Sequence, residues 1–296
     1  MKSKITSRDI ILPLPDKGET IVILQRNAED YQGRINQKDL SNETALIGDL
    51  LPESITNSYD CAKVTLTDFL DRLSVEDRNQ VDFLIIASDP RLGVRNIEHK
   101  ESLRTINTAK EVLRAVKDII KKYGLSEEQL INSTATPDCS VVEISEIKEE
   151  KTFVDYPELM EFVERKSTET GEDWWNIYEK DLYFEERENL RIEGADSIRK
   201  RMYQFMSFVG GGTNYHKSNP NRRLVFWAIT HFDTITPYLQ GLLKDLNQAR
   251  KVPPVDFLGG ITLHINKTGV SEVFFGEKKS PVRIDYSKSI TADPQK

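Results

Sequence analysis

Cysteine and histidine are scarce in this 296-residue chain, which has two cysteines, Cys61 and Cys139, and four histidines. Two cysteines cannot build a disulfide framework, and neither has neighbours at metal-ligand spacing, so both read as ordinary thiols of a reducing compartment. Positive charge is short as well: 41 Lys and Arg against 48 Asp and Glu give a formal net charge of −7. That balance argues against a broad nucleic-acid-binding face, which needs clustered Lys and Arg, and leaves room only for a local basic pocket. Long apolar runs are missing. Near the N-terminus Ile10-Ile11-Leu12 is cut off by Pro13 and Pro15, too short for a signal peptide and far too short to span a bilayer. The expectation is a cytoplasmic protein with no membrane and no nucleic-acid partner. Heptads, repeats and low-complexity segments are absent. Gly210-Gly211-Gly212-Thr213 lacks the Lys-Ser/Thr of a phosphate loop and does not leave a strand, so it reads as a flexible loop. No Asp/His cluster has metal-ligand spacing, and neither a metal nor a cofactor is expected.

What the chain has is a set of buried-strand signals that end abruptly in polar residues. The 38% hydrophobic and 30% charged composition is that of a globular protein, and the length allows one large domain or two small ones. Ile21-Val22-Ile23-Leu24, entered from Pro13, Pro15 and Gly18, reads as a strand buried on both faces and runs into Arg26-Asn27. Leu224-Val225-Phe226-Trp227-Ala228-Ile229 ends likewise in Thr230-His231-Phe232-Asp233, and Val81 to Ala87 closes at Ser88-Asp89-Pro90. In an open α/β sheet, ligands bind at the carboxyl ends of such strands.

Helical spacing follows in several places. Residues 44–50 read as more helical than the polar stretch before them, and a helix is expected to start after the cap-like Thr65, with Leu66, Phe69, Leu70 and Leu73 inward. Residues 102–123 carry Leu103, Ile106, Ala109, Leu113, Val116 and Ile120 on one face and end at Gly124. Residues 141–147 read as a short strand and 157–165 as a helix. The aromatic group Trp174, Trp175 and Tyr178 reads as core or as a lid. Ile198, Met202, Phe205 and Met206 share a helical face, residues 235–247 form an amphipathic helix, and residues 260–265 and 270–275 form a hairpin. The tail from Pro281 is polar and is expected to fray, fully so from about residue 285.

Three of these pieces together resemble the histidine phosphatase superfamily, also called the phosphoglycerate-mutase-like fold. Its pattern is a strand into Arg-His-Gly, then Ser-Pro-x-x-Arg-x-x-x-Thr-Ala at a strand-to-helix turn, then a strand into His-Gly. Here the pieces are Leu24 to Glu29, then Ala87-Ser88-Asp89-Pro90 with Leu103 to Ala109, then Thr230-His231-Phe232-Asp233. The resemblance runs from about residue 21 to 275 and departs from the family at the nucleophile, where Asn27 stands in place of His. It implies an α/β fold, three-layer α/β/α with a mainly parallel central sheet. It also implies a single domain over 1–296, with inserts at about 30–80 and 126–220 forming a cap.

The implied phosphate ligands are Arg26, Arg104 and His231. Arg104 is preferred to Arg91 or Arg95 because Thr108-Ala109 follow it at the family's spacing and open a helix. An arginine there can share an anion with free backbone N–H groups, although a lone arginine on a helix is more often a surface ion pair. For an acid, Glu146 most resembles the family's acid-bearing segment, without the Gly and Trp that normally follow. Ala28 and Phe232 replace the family's glycines, and the Phe232 ring would narrow the pocket. His99, His216 and His264 read as an insert, a loop and a strand-interior histidine without a catalytic role.

Asn27 cannot act as the imidazole does, because its amide nitrogen lone pair is delocalised into the carbonyl. Binding can therefore survive where turnover does not. Three functions follow: a phosphate-binding pseudophosphatase or sensor for a phosphorylated small molecule or phosphopeptide; a phosphatase whose sequence carries a His-to-Asn substitution; or a non-catalytic protein-interaction module on the same fold. Whether the chain is an enzyme turns on Asn27.

Overall fold

Strands form where β-branched and aromatic residues run together, and the longest such runs pair side by side. The structure, a computed structural model, describes residues 6–29, 50–87, 103–131, 142–143, 156–190, 192, 194, 199–200, 202–203, 205–206, 209, 214–245, 255–267, 270–275 and 282–285. In chain order the elements are β1 (Thr20–Arg26), α1 (Pro52–Asp71), α2 (Val75–Arg78), β2 (Val81–Ala87), α3 (Leu103–Tyr123), β3 (Val142–Glu143), α4 (Tyr156–Thr170), α5 (Trp174–Lys180) and α6 (Phe184–Asn189). They continue with α7 (Asn214–Ser218), β4 (Arg223–Thr230), α8 (Phe232–Asp245), β5 (Gly260–Ile265), β6 (Val270–Phe274) and β7 (Val282–Asp285).

One seven-stranded sheet has the order β3-β2-β4-β1-β5-β6-β7. From β3 through β2 and β4 to β1 the strands are parallel, and β5, β6 and β7 add antiparallel at the other edge. In register, Ile23 lies beside Trp227 and Arg26 beside Thr230, so β1 and β4 end level with one another.

Side chains of a strand alternate between faces, and both faces of β1 and β4 are covered. Ile21 and Ile23, with Phe83, Ile85, Val225 and Trp227, pack against Leu66, Phe69 and Leu70 of α1 and Val112, Val116 and Ile119 of α3. Val22 and Leu24, with Leu224 and Phe226, pack against Tyr238, Leu239 and Leu242 of α8 and against Met202, Phe205 and Met206. The result is the three-layer α/β/α architecture expected from the sequence.

Three local expectations are corrected. Helix α1 begins at Pro52, not after Thr65. Its first half turns Ser54, Ser58 and Ala62 inward, and such small residues leave no large apolar periodicity to read. Ser58 Oγ donates to Ser54 O at 2.6 Å, which removes the cost of burying that hydroxyl. Of the insert expected at residues 30–80, this helix lies on the sheet, and residues 30–49 lie outside the described ones. The tail does not fray at Pro281: β7 pairs with β6, Val282 beside Val273. His216 sits in helix α7 rather than a loop, with Nε2 2.8 Å from Thr20 Oγ1.

The amino ends of the strands hold a separate polar network. Asp82 accepts from Tyr215 and from both arms of Arg222, and His264 Nε2 lies 2.8 Å from Glu19 Oε2. Trp174 and Tyr178 stack at 5.3 Å, and Tyr178 closes a small cluster with Phe162, Val163 and Ile177. These two rings are packing; the Trp175 side chain is outside the described residues.

Gly260, where β5 meets β1, is a sharp packing constraint. A Cβ there would stand 2.6 Å from Leu24 O and 3.1 Å from Gln25 Cα, both backbone. Gly260→Ala must push the two strands apart, and it is expected to cost about 1–3 kcal/mol. The measurement is a lower urea midpoint with an unchanged m-value.

Candidate functional site

The carboxyl ends of β1 and β4 and the first turns of α3 and α8 meet on one side of the sheet. His231 directly follows β4, and its carbonyl accepts from Thr234 N at 3.1 Å and Ile235 N at 3.2 Å. It therefore opens α8, three residues earlier than the expected start. Arg104 is in the first turn of α3. The positive ends of two helix dipoles make the region favourable to negative charge.

Arg26 ends β1 and is held on several sides. Its N–H donates to Gly259 O at 2.8 Å, its Nη1 donates to Val255 O at 2.7 Å, and its guanidinium carbon lies 3.9 Å from the Phe257 ring centroid. Stacking of a guanidinium on an aromatic face fixes its plane and its orientation. The turn that provides these contacts is itself tied down. Leu258 adopts φ +59°, a left-handed conformation uncommon outside glycine. Gln25 holds it: Nε2 donates to Leu258 O at 2.9 Å, and Oε1 accepts from Trp227 Nε1 at 2.8 Å.

Asn27 is 1% exposed. Its N–H extends the ladder to Thr230 O at 2.9 Å, and its Nδ2 donates to Ala28 O at 2.8 Å. Ala28 N–H donates to Thr108 Oγ1 at 3.0 Å, so the strand end is also tied to α3.

His231 is half-buried, and its pKa is held well below the ordinary 6.5 by burial first, then by the guanidiniums of Arg104 and Arg26. The ring therefore favours its neutral form at pH 7, with both guanidiniums opposing its protonation. The unfolded chain binds a proton there below about pH 6.5 that the folded chain refuses, so stability is fully present above that pH and is lost as pH falls. The expected slope is up to about 1.4 kcal/mol per pH unit for this group. Comparing urea midpoints between pH 7 and 5 for the protein and for His231→Gln should show a flatter profile in the variant. His216, whose pKa burial also lowers, keeps a residual slope of the same sign.

Sequence-predicted residues divide clearly. Arg26, Asn27, Arg104 and His231 come together at the strand ends. Glu146 lies outside the described residues, as do Ser88, Asp89, Pro90, Arg91, Arg95 and His99, and so does the Phe232 side chain. Cys61 offers no replacement nucleophile: burial pushes its thiol up to about 11, where it stays protonated. Sequence reasoning missed Gln25, Val255 and Phe257. Gln25 carried a signal, a polar residue inside an apolar run; the turn around Phe257 carried none.

An open groove of about 930 Å3 lies between residues 7–12 and α1. Phe257 forms part of its wall, and Glu29, Glu53, Asp60 and Asp68 line it with Arg8. Four carboxylates against one arginine disfavour a phosphate there, so the groove is not the anion cradle. Among the described residues, no group of His, Cys, Asp and Glu could hold a metal ion. Also among them, no helix is long and apolar enough to cross a membrane.

No family model matches the sequence, and no curated protein matches it. Among solved structures, the chain is similar to a phosphoglycerate mutase from Bacillus anthracis str. Sterne, at 11% identity, covering 88% of this chain and 94% of that one with a TM-score of 0.48. A likeness this distant carries no argument about chemistry, and the α/β/α architecture rests on the strand order and on the two packed faces of the sheet.

Proposed function

We propose that Arg26, Arg104 and His231 form a phosphate cradle, and that the protein binds a phosphomonoester, a phosphorylated small molecule or phosphopeptide, without efficient turnover. On this reading it is a histidine-phosphatase-like protein of the cytoplasm in which Asn27 stands where the attacking imidazole would be. The observation that carries the reading is His231 itself: two guanidiniums bear on one half-buried imidazole, in a chain of net charge −7. Concentrated positive potential at two helix starts is the electrostatics an anion needs.

The chemistry follows from the groups present. Arg26 and Arg104 can each offer paired N–H donors to phosphate oxygens, and His231 can give a further hydrogen bond. A dianion between them offsets their field, so its arrival raises the pKa of His231 and favours proton uptake on the ring. Cleavage would also need an in-line nucleophile and an acid for the leaving oxygen. Asn27 supplies no nucleophile, since its nitrogen is conjugated and its N–H is already given to Ala28 O. Glu146 remains the proposed acid, and those parts of the inserts at 30–80 and 126–220 that do not pack on the sheet are proposed to form a cap that chooses the substrate.

Calorimetric titration with inorganic phosphate and with vanadate tests the binding half. Saturable binding that weakens with added salt is expected, with aryl phosphate hydrolysis close to background. Absence of any oxyanion binding at low salt would overturn the cradle and leave only the fold.

A further inference from the structure

We propose that Thr108 is a positioning residue, whose single hydroxyl sets the spacing between the strand end that carries Arg26 and the helix turn that carries Arg104. Its Oγ1 accepts from Ala28 N–H at 3.0 Å and donates to Arg104 O at 2.7 Å. The directions are fixed by chemistry, because an amide can only donate and a carbonyl can only accept, so the one hydroxyl proton goes to Arg104. A threonine bonding the carbonyl four residues back is common in helices and would mean little alone. The second bond is different. It crosses 80 residues of sequence and joins the element of one cation to the element of the other.

Burial makes the bridge hard to replace. Ala28 and Thr108 are both fully buried, so water cannot substitute for the hydroxyl, and without it the Ala28 amide is left as an unsatisfied buried donor. Relaxing that defect means moving the strand end away from α3, which changes the distance from Arg104 to His231 and Arg26. The helix needs no such bond to form. Its apolar face, Ala109, Val112, Leu113, Val116 and Ile120, already seats it on the sheet. Thr108 therefore acts on the alignment of the cradle more than on the existence of the fold.

The importance of this spacing for phosphate rests on the function proposed above, but the coupling itself can be read without any ligand. Imidazole NMR titrations of His231 are compared in the protein, Thr108→Val and Thr108→Ser, alongside inorganic phosphate titrations and thermal melts. In Thr108→Val, His231 is expected to titrate about half a pH unit or more higher as Arg104 withdraws, with phosphate affinity down about tenfold. Thr108→Ser, which keeps the hydroxyl, is expected to match the parent in both. A lowered melting temperature with an unchanged His231 titration in Thr108→Val would reduce the residue to a structural one and overturn the proposal. Should Thr108→Val fail to fold, amide exchange in the parent decides. Slow exchange at Ala28, retained in Thr108→Ser, supports the bridge, and fast exchange in the parent overturns it. If the parent binds no phosphate, the cradle reading fails while the His231 titration still judges Thr108.

Discussion

Asn27→His is expected to convert a protein with near-background phosphatase activity into one that hydrolyses a generic aryl phosphate. A gain on the order of 10³ or more is anticipated, against the loss of about 10⁶ typical when a nucleophile is removed from a concerted site. The gain stops short of full recovery because Asn27 is 1% exposed and a larger ring must displace its neighbours by a few tenths of an ångström. In the reaction, an imidazole nitrogen forms a bond to phosphorus as the aryl oxygen leaves, and water then cleaves the N–P bond. An acid-labile phosphoenzyme should therefore accumulate in the variant and be absent from the parent and from Asn27→Gln. If only the histidine variant turns over while both proteins bind vanadate, Asn27 is the single lesion in a phosphatase-like site. If neither binds nor turns over, the activity lies elsewhere, and the acidic groove beside Phe257 becomes the next surface to probe.

The second large effect is expected at the cations. Arg104→Gln and Arg26→Gln should each lower phosphate affinity by about 10- to 100-fold, since charge-assisted hydrogen bonds contribute about 1.5–3 kcal/mol each. Both substitutions should also raise the His231 titration, because each removes a charge that now opposes protonation of the ring. Arg26→Lys separates charge from geometry. An ammonium keeps the positive charge but has no planar group to sit over the Phe257 ring while donating to Val255 O. Affinity in Arg26→Lys is expected to fall almost as far as in Arg26→Gln. A lysine variant that binds as well as the parent would mean that charge alone matters at this position.

Much of the scaffold was readable because strand burial leaves a strong local mark. β1, β2 and β4 each contain an apolar run, Ile21 to Leu24, Phe83 to Ala87 and Leu224 to Ile229, covered on both faces, and α3 shows its inward face at regular helical spacing up to Gly124, whose φ is +65°. The first half of α1 escaped because its inward residues are Ser54, Ser58 and Ala62, which pack by being small. β7 escaped because an edge strand of four residues, Val-Arg-Ile-Asp, offers too little pattern to distinguish from a tail. Among site residues, those at strand ends and helix starts could be placed by position alone. The groups that aim them, Gln25, Val255 and Phe257, act through contacts spanning more than 200 residues of sequence, and distance along the chain hides such contacts.

The sequence by itself determined the class of fold, the ends of its central strands, and the presence of an amide, Asn27, directly after Arg26. These are local properties: a run of β-branched residues, a change from apolar to polar, the identity of one side chain. Tertiary structure decided that the guanidiniums of Arg26 and Arg104 bear on His231 and oppose its protonation, and that Arg26 sits over the Phe257 ring. Those outcomes depend on burial and on distances across the sheet, since a charge shifts its neighbour's proton only once folding has brought both out of water.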